Sequence, residues 1–232
     1  MKDIHGQAIL DYHNGERNSR LYINNSYGEP EEMPIEAYFK GYDEFSEMDQ
    51  RALDLCYGKT LDIGAAAGNK ALALQAMDKE VYALESSPGC IETMKSIGIK
   101  HVMEEDYKKH HGKYDTILLM MNGLGIAGTL NEIPEFLRTC KNLLNPGGQI
   151  VLDSSDIKYL YEEYPDIEVP YPYYGDIQYQ YEYKGEQGDW FDWVYTDQDM
   201  LGQIVADSGL TLEVQMEDEY DQYLAVINNY SL

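Results

Sequence analysis

Cysteine is scarce in this chain: three residues in 232, at positions 56, 90 and 140. An odd number without paired spacing suggests neither a disulfide framework nor a structural zinc site. Histidine is scarce too. Of the five, His110 and His111 lie together with no cysteine or carboxylate at ligand spacing, so no metal is expected. Long apolar runs are missing. The longest uncharged one, "TILLMMNGLGIAGTL", is broken by Asn122 and by glycines, and is too short to span a bilayer. The first residues, "MKDIHGQAILDYHNGE", lack the long apolar core of a signal peptide. A soluble, cytoplasmic protein without a membrane partner is expected. Positive charge is also short: 17 Lys and Arg stand against 42 Asp and Glu, a net charge of −25. Repulsion from phosphates disfavours nucleic acid as a partner. Phenylalanine is rare at four residues, whereas tyrosine is abundant at 22. Tyrosine buries a ring while its hydroxyl wants a partner. The excess either stands in for phenylalanine or lines a polar-aromatic pocket.

What is present is a globular composition, 44% hydrophobic and 25% charged. The length suits one well-buried domain, or one domain with an appendage. From about residue 60 onward, strand and helix patterns alternate. "KTLDIG", "EVYALE", "HVMEED", "YDTILLMM" and "QIVLDSS" read as strands. Helical patterns separate them: "NKALALQAM"; "SPGCIETMKSIG", capped by Ser87 before Pro88; and "LNEIPEFLRTCKNLL", stopped by "NPGG". Such alternation implies parallel strands with right-handed crossovers, hence a doubly wound α/β sheet. The tail breaks the rhythm. Ile177, Tyr179, Tyr181 and Tyr183 alternate with polar residues, "GEQG" turns the chain, and "DWFDWVY" runs back as a hairpin. Thr196 with Asp199 resembles a capping box for "DQDMLGQIVADSG". "LTLEVQME" and "YLAVIN" are too close in sequence for a helical crossover, so they should pair antiparallel and add one reversed strand. Residues 1–59 are expected to form an N-terminal helical cap segment, with helices at about 3–13 and 43–57. Residues 60–232 form the main domain, with the hairpin inserted at about 171–195.

"LDIGAAAGNKALALQ" is the junction most open to a ligand, because open α/β sheets bind ligands beyond the carboxyl ends of their strands. A phosphate loop needs a lysine and a hydroxyl after its last glycine, and "GNKAL" lacks that pair. A dinucleotide fingerprint counted from Gly64 meets Ala66 and Asn69 where it needs glycines. What remains is an acid, Asp62, followed by Gly64, Ala66 and Gly68, small residues that admit a ligand close to the backbone. Asp62 can accept from a cationic amine or from loop amides. Glu85 ends the next strand and would reach a ribose diol with two acceptor oxygens. Asp106, at the end of the third strand, could accept from an adenine amino group.

"LDIGAAAG", "VYALESS", "MEEDY", "YDTILLMMNGLG" and "LNPGGQIVLDSSD" stand in the order and at the spacing of the class I S-adenosylmethionine-dependent methyltransferases, which this chain resembles. The resemblance is close over about 60–153 and extends to 228. It implies a Rossmann-like methyltransferase fold, a seven-stranded mostly parallel sheet with one reversed strand. It also implies S-adenosyl-L-methionine as cofactor, with Ala66 replacing the family's middle loop glycine. By that resemblance, Asp62, Gly64, Ala65 and Gly68 hold the methionine end, and Glu85 takes the ribose with Ser86 beside the adenine. Asp106 and Tyr107 flank the base, and Met121 and Asn122 lie near the sulfonium. Plainer readings stand beside these: loop glycines serving packing, Asp106 as a helix cap and Asn122 as a turn former.

The acceptor is less legible. Methyl transfer from a sulfonium needs positioning and water exclusion, and a general base is optional. A small-molecule acceptor is expected; its atom, the catalytic residues and the oligomeric state stay open. Tyr38, Phe39 and Lys40 in "PIEAYFKGYDEF" are candidates for a segment closing over the donor. Asp153, Ser154 and Asp156 could orient an acceptor, and His5, Tyr12 and His13 could act as bases if the N-terminal helix caps the pocket. The alternative is a non-catalytic methyltransferase-like binding or regulatory module.

Overall fold

The protein is described here by a computed structural model covering residues 2–163 and 166–229. It opens with α1 (Ile4–His13), β1 (Leu21–Asn25), β2 (Glu31–Met33) and α2 (Glu47–Leu55). The strand–helix alternation follows: β3 (Lys59–Ile63), α3 (Asn69–Ala76), β4 (Glu80–Glu85), α4 (Pro88–Ser96), β5 (Val102–Glu104), β6 (Tyr114–Leu119), α5 (Ile133–Leu143) and β7 (Leu144–Ser155). The tail holds α6 (Tyr159–Glu163), β8 (Asp176–Tyr183), β9 (Glu186–Gln187), β10 (Phe191–Val194), α7 (Gln198–Asp207), β11 (Thr211–Glu217) and β12 (Gln222–Asn228). No helix among the described residues is long and apolar enough to cross a membrane.

Seven strands form one sheet in the order β11-β12-β7-β6-β3-β4-β5. The pairs β4–β5 and β6–β7 are parallel, while β12 runs antiparallel to both β7 and β11. One strand, β12, is therefore reversed, as the short link from β11 requires. β6 and β7 carry unbroken buried runs, Ile117–Leu119 and Ile150–Leu152 among them, which is the mark of strands covered on both faces. α5 turns Ile133, Phe136, Leu137, Cys140 and Leu143 inward at three- and four-residue steps.

By contact the chain falls into two compact units. The first takes in the chain up to Phe45, Asp62–His110 and Gln178–Phe191; the second takes in Ser46–Leu61, His111–Ile177 and the chain from Asp192 on. This division cuts across the expected boundary at 59/60. The N-terminal segment is also not purely helical. β1 and β2 join a second sheet in the order β10-β8-β1-β2. β1 pairs with β8 over five residues, from Leu21 opposite Tyr183 to Asn25 opposite Tyr179. "LYINN" is too short to announce itself as a strand, and its partner lies more than 150 residues away. The tyrosine strand β8 thus lies inside a sheet.

Three local expectations need correction. The tight turn after β8 is Lys184–Gly185, not "GEQG": both residues have positive φ, 53° and 75°, and Tyr183 pairs with Glu186. Two consecutive left-handed residues are the signature of a two-residue hairpin loop, and glycine supplies one of them without strain. α7 is capped by Asp197, whose side chain accepts from the Met200 N–H, and not by Thr196, which is wholly buried. α5 stops at Leu143, just before "NPGG" as expected, but β7 starts at Leu144 rather than at "QIVLDSS", with an irregularity at "NPGG", where Gly147 has a φ of 77°.

Candidate functional site

In the first unit, β3 delivers Asp62 and then bends. The N–H groups of Gly64 and Ala65 both reach the carbonyl of Leu84, at 2.9 and 3.3 Å, which locks the bend to the end of β4. Gly64, Ala66 and Gly68 have φ of 73°, 48° and 81°. Left-handed backbone is ordinary for glycine, but at Ala66 it costs about 1–2 kcal/mol. Glu85 offsets that cost: its Oε2 accepts the Ala66 N–H at 3.0 Å, while Oε1 accepts those of Ser86 and Ser87 at 2.7 and 2.9 Å. Burial, the larger influence, still holds the Glu85 carboxyl above its ordinary value against those three amides. At Gly68 the packing explanation is also true, since an added Cβ would lie 2.3 Å from Ile99 Cδ1.

Asp62 is almost wholly buried, and its Oδ2 has no hydrogen-bond partner. Burial lifts its carboxyl to about 7; the nearby Lys70 charge opposes the rise and Glu85 adds to it. Lys70 is itself buried, with Nζ 3.6 Å from the centre of the Phe45 ring. An unpaired buried carboxylate is costly, and the usual remedy is a cationic partner.

β5 ends at Glu104, so Asp106 is not the last residue of its strand. Its side chain caps the turn Tyr107–Lys109 by accepting the Lys108 N–H at 2.9 Å. Asp106 is exposed and Tyr107 partly so. The helix-cap reading therefore describes one of its oxygens.

α1 lies against the start of α4. Asp3 caps α1 by accepting the Gly6 N–H and also accepts from Ser87 Oγ and the Gly89 N–H, at 2.8 Å each for the shortest contacts. An added Cβ on Gly89 would sit 2.3 Å from the Gly6 carbonyl oxygen, so the two backbones touch. Sequence reasoning missed Asp3; its signal was a capping residue type at the start of the expected helix. Of the proposed bases, His13 bonds Ser96 Oγ through Nε2 at 2.8 Å, and Tyr12 stacks on Phe39 beneath Arg17. Tyr38 is buried in a cluster that includes Ile4, Ala8, Ala67 and, at its border, Ala66; Lys40 is exposed.

In the second unit, Met121 and Asn122 follow β6 with φ of 59° and 53°. Met121 is exposed. Asn122 is buried, and both ends of its side-chain amide are taken: Nδ2 donates to Val194 O at 3.1 Å, and Oδ1 accepts from Ser154 Oγ at 2.9 Å. Asp153 Oδ1 accepts the Asn122 N–H at 3.0 Å, and its Oδ2 accepts from Gln222 Nε2 at 2.8 Å. Burial pushes the Asp153 carboxyl up to about 6 against these bonds. Ser154 also accepts from the Thr196 N–H, and Tyr223 donates to Thr196 O. Asn122, Asp153 and Ser154 thus hold a strained turn rather than offer free groups. Asp156 accepts from Tyr174, which with Tyr173 also donates to Asp197. A cavity of about 530 Å³ is lined by Asp156, Tyr174 and Asp197 and by Lys158, Glu217 and Tyr223. Cys56, Cys90 and Cys140 are buried, and none of the three forms a disulfide. Among the described residues no cluster of His, Cys, Asp or Glu could hold a metal.

The buried Asp62 oxygen and the left-handed small-residue bend fit a polar ligand that approaches backbone closely. Comparison with known proteins gives the family. A family model described as a methyltransferase domain matches residues 32–215. The S-adenosylmethionine-dependent methyltransferase of Bacteroides fragilis, solved with S-adenosyl-L-homocysteine, is 38% identical with a TM-score of 0.90; the match covers 97% of this chain and 94% of that one. CcbJ methyltransferase of Streptomyces caelestis, at 16% identity and a TM-score of 0.62 over 82% of this chain and 95% of its own, shows the same fold. A probable cobalt-precorrin-6B C(15)-methyltransferase (decarboxylating) of Methanothermobacter thermautotrophicus is 26% identical over 124 residues, 50% of this chain and 65% of that relative's length. The chain belongs to the methyltransferase-domain family, the S-adenosylmethionine-dependent methyltransferases, and its cofactor is S-adenosylmethionine.

Proposed function

We propose that the enzyme methylates a small molecule in the cytoplasm, and that the first unit holds the donor through Asp62, the backbone of 64–68, Glu85 and Ser86, with Asp106 and Tyr107 at the base. The unpartnered, buried Oδ2 of Asp62 carries this reading, because a cationic amine is the group it lacks. Glu85 has one acceptor site left after its three amides, enough for one ribose hydroxyl. Three buried cysteines outside any disulfide suit a reducing compartment.

The donor supplies a methyl group already activated on a positive sulfur. The protein's own work is then to bind, orient and exclude water. Asp62 meets the ammonium of the amino-acid end, and the left-handed bend lets backbone come close to it. Glu85 orients the ribose while keeping Ala66 in its left-handed conformation. The net charge of −25 opposes a nucleic-acid acceptor.

Calorimetry with S-adenosylhomocysteine tests the donor assignment. Glu85→Ala should weaken binding by about 1–3 kcal/mol through lost hydrogen bonds to a charged acceptor. Unchanged affinity would remove Glu85 from the site.

A further inference from the structure

Among the described residues, three side-chain polar atoms are buried with no hydrogen-bond partner: His5 Nε2, Thr60 Oγ1 and Asp62 Oδ2. Such atoms are rare in native proteins, where buried polar groups are nearly always paired. Two of them, on His5 and Asp62, belong to the same compact unit.

His5 is held firmly. Its ring stacks on Tyr181 at 4.8 Å and meets the edge of Tyr38 at 5.1 Å, and Tyr181 packs on Phe191 at 5.2 Å. The first turn of α1 is fixed by Asp3 to Ser87 and Gly89, just beyond Glu85. Tyr38 and Tyr181 pack in the cluster that takes in Ala66 and Ala67 of the bend. Asn69 donates from Nδ2 to Ala37 O, tying the Tyr38 segment to the start of α3. α1 and the segment around Tyr38 therefore cover the donor bend, and His5 lies in that cover. Burial lowers its pKa to about 4 against the attraction of Asp3, so the ring is neutral near pH 7 and has an N–H to give.

We propose that His5 is a donor-binding residue, its Nε2–H donating to the carboxylate of the amino-acid end of S-adenosylmethionine. This rests on the reading that Asp62 takes the ammonium of that same end. The two orphaned atoms then complement the two charges of one α-amino acid. Tyr181 and Tyr38 act as positioning residues, since they set the plane of the imidazole. Neutral imidazole suits the task, because it satisfies a carboxylate without adding a buried charge of its own.

The test is calorimetry with S-adenosylhomocysteine and with 5′-methylthioadenosine, which keeps the nucleoside and lacks the amino acid. His5→Phe preserves the stacking and removes the hydrogen bond. It should weaken S-adenosylhomocysteine about tenfold and leave 5′-methylthioadenosine unchanged, and His5→Gln should recover part of the loss. Asp62→Asn is the control for the underlying reading. If Asp62→Asn weakens S-adenosylhomocysteine and His5→Phe does not, the His5 assignment is overturned alone; if neither changes affinity, both fail. Equal losses for the two ligands in His5→Phe would overturn it as well, by showing a packing role. Should the variant not fold, ¹⁵N NMR of the wild-type imidazole decides. S-adenosylhomocysteine should shift the His5 Nε2 resonance and 5′-methylthioadenosine should not; the reverse, or no shift with either, overturns the assignment.

Discussion

Two bends in this enzyme look alike and differ in one respect. Each follows a strand, the 64–68 bend after β3 and the 121–122 turn after β6, and each forces non-glycine residues into left-handed backbone. Each is braced by a carboxylate from the next strand along the chain, Glu85 on the Ala66 N–H and Asp153 on the Asn122 N–H. The turn after β6 is satisfied internally: both Asp153 oxygens and both ends of the Asn122 amide have protein partners. The bend after β3 keeps an orphan in Asp62 Oδ2. Strain with every group paired belongs to scaffold, whereas strain beside an unpaired buried charge awaits a ligand.

The sharpest way to break this comparison is at Asp153. Asp153→Ala strands the Asn122 N–H and the Gln222 amide, and should cost about 2–4 kcal/mol of folding stability by chemical denaturation. A stable variant with lost donor affinity would reverse the roles of the two bends.

Asp62→Asn should do the opposite, weakening S-adenosylhomocysteine by about 1.5–3 kcal/mol while sparing the fold. Its pH dependence sharpens the point. The Asp62 carboxyl is raised from 3.8 to about 7 in the folded protein, so the folded state binds the proton more tightly than the unfolded one. This side chain therefore lowers stability progressively as pH rises from about 4 to about 7. Donor affinity should climb over the upper part of that range as Asp62 ionises against the ammonium. Asp62→Asn should flatten both profiles, and a slope that persists in the variant would assign it elsewhere.

Ala66→Gly carries the smallest effect. Relief of the left-handed strain, less the extra entropy of glycine, should add about 0.5–1 kcal/mol to stability by thermal melting, with donor affinity unchanged. A loss of stability would mean that Ala66 contributes more through its contacts with the neighbouring cluster than it costs in strain.

The bends were legible to different degrees. Asp62, Gly64, Gly68 and Glu85 stood out because an acid at a strand end and small residues after it are features of a few consecutive positions. Asn122 was legible as a residue after a strand, but not as a spent one, because its partners Ser154 and Val194 lie 32 and 72 residues away. Asp106 was read as a strand end and is a cap two residues beyond it, a boundary set by where pairing with β4 stops.

What the amino-acid order determined by itself was the run of strands and helices, the reversed β12 and the place of the bend. Each follows from hydrophobic period, link length or glycine at short range. Only the tertiary structure decided that β1 pairs with β8, that α1 packs on α4 beside the 64–68 bend, and which polar groups are left without partners. Hydrogen-bond capacity is consumed by neighbours in space, and those neighbours are far apart along the chain.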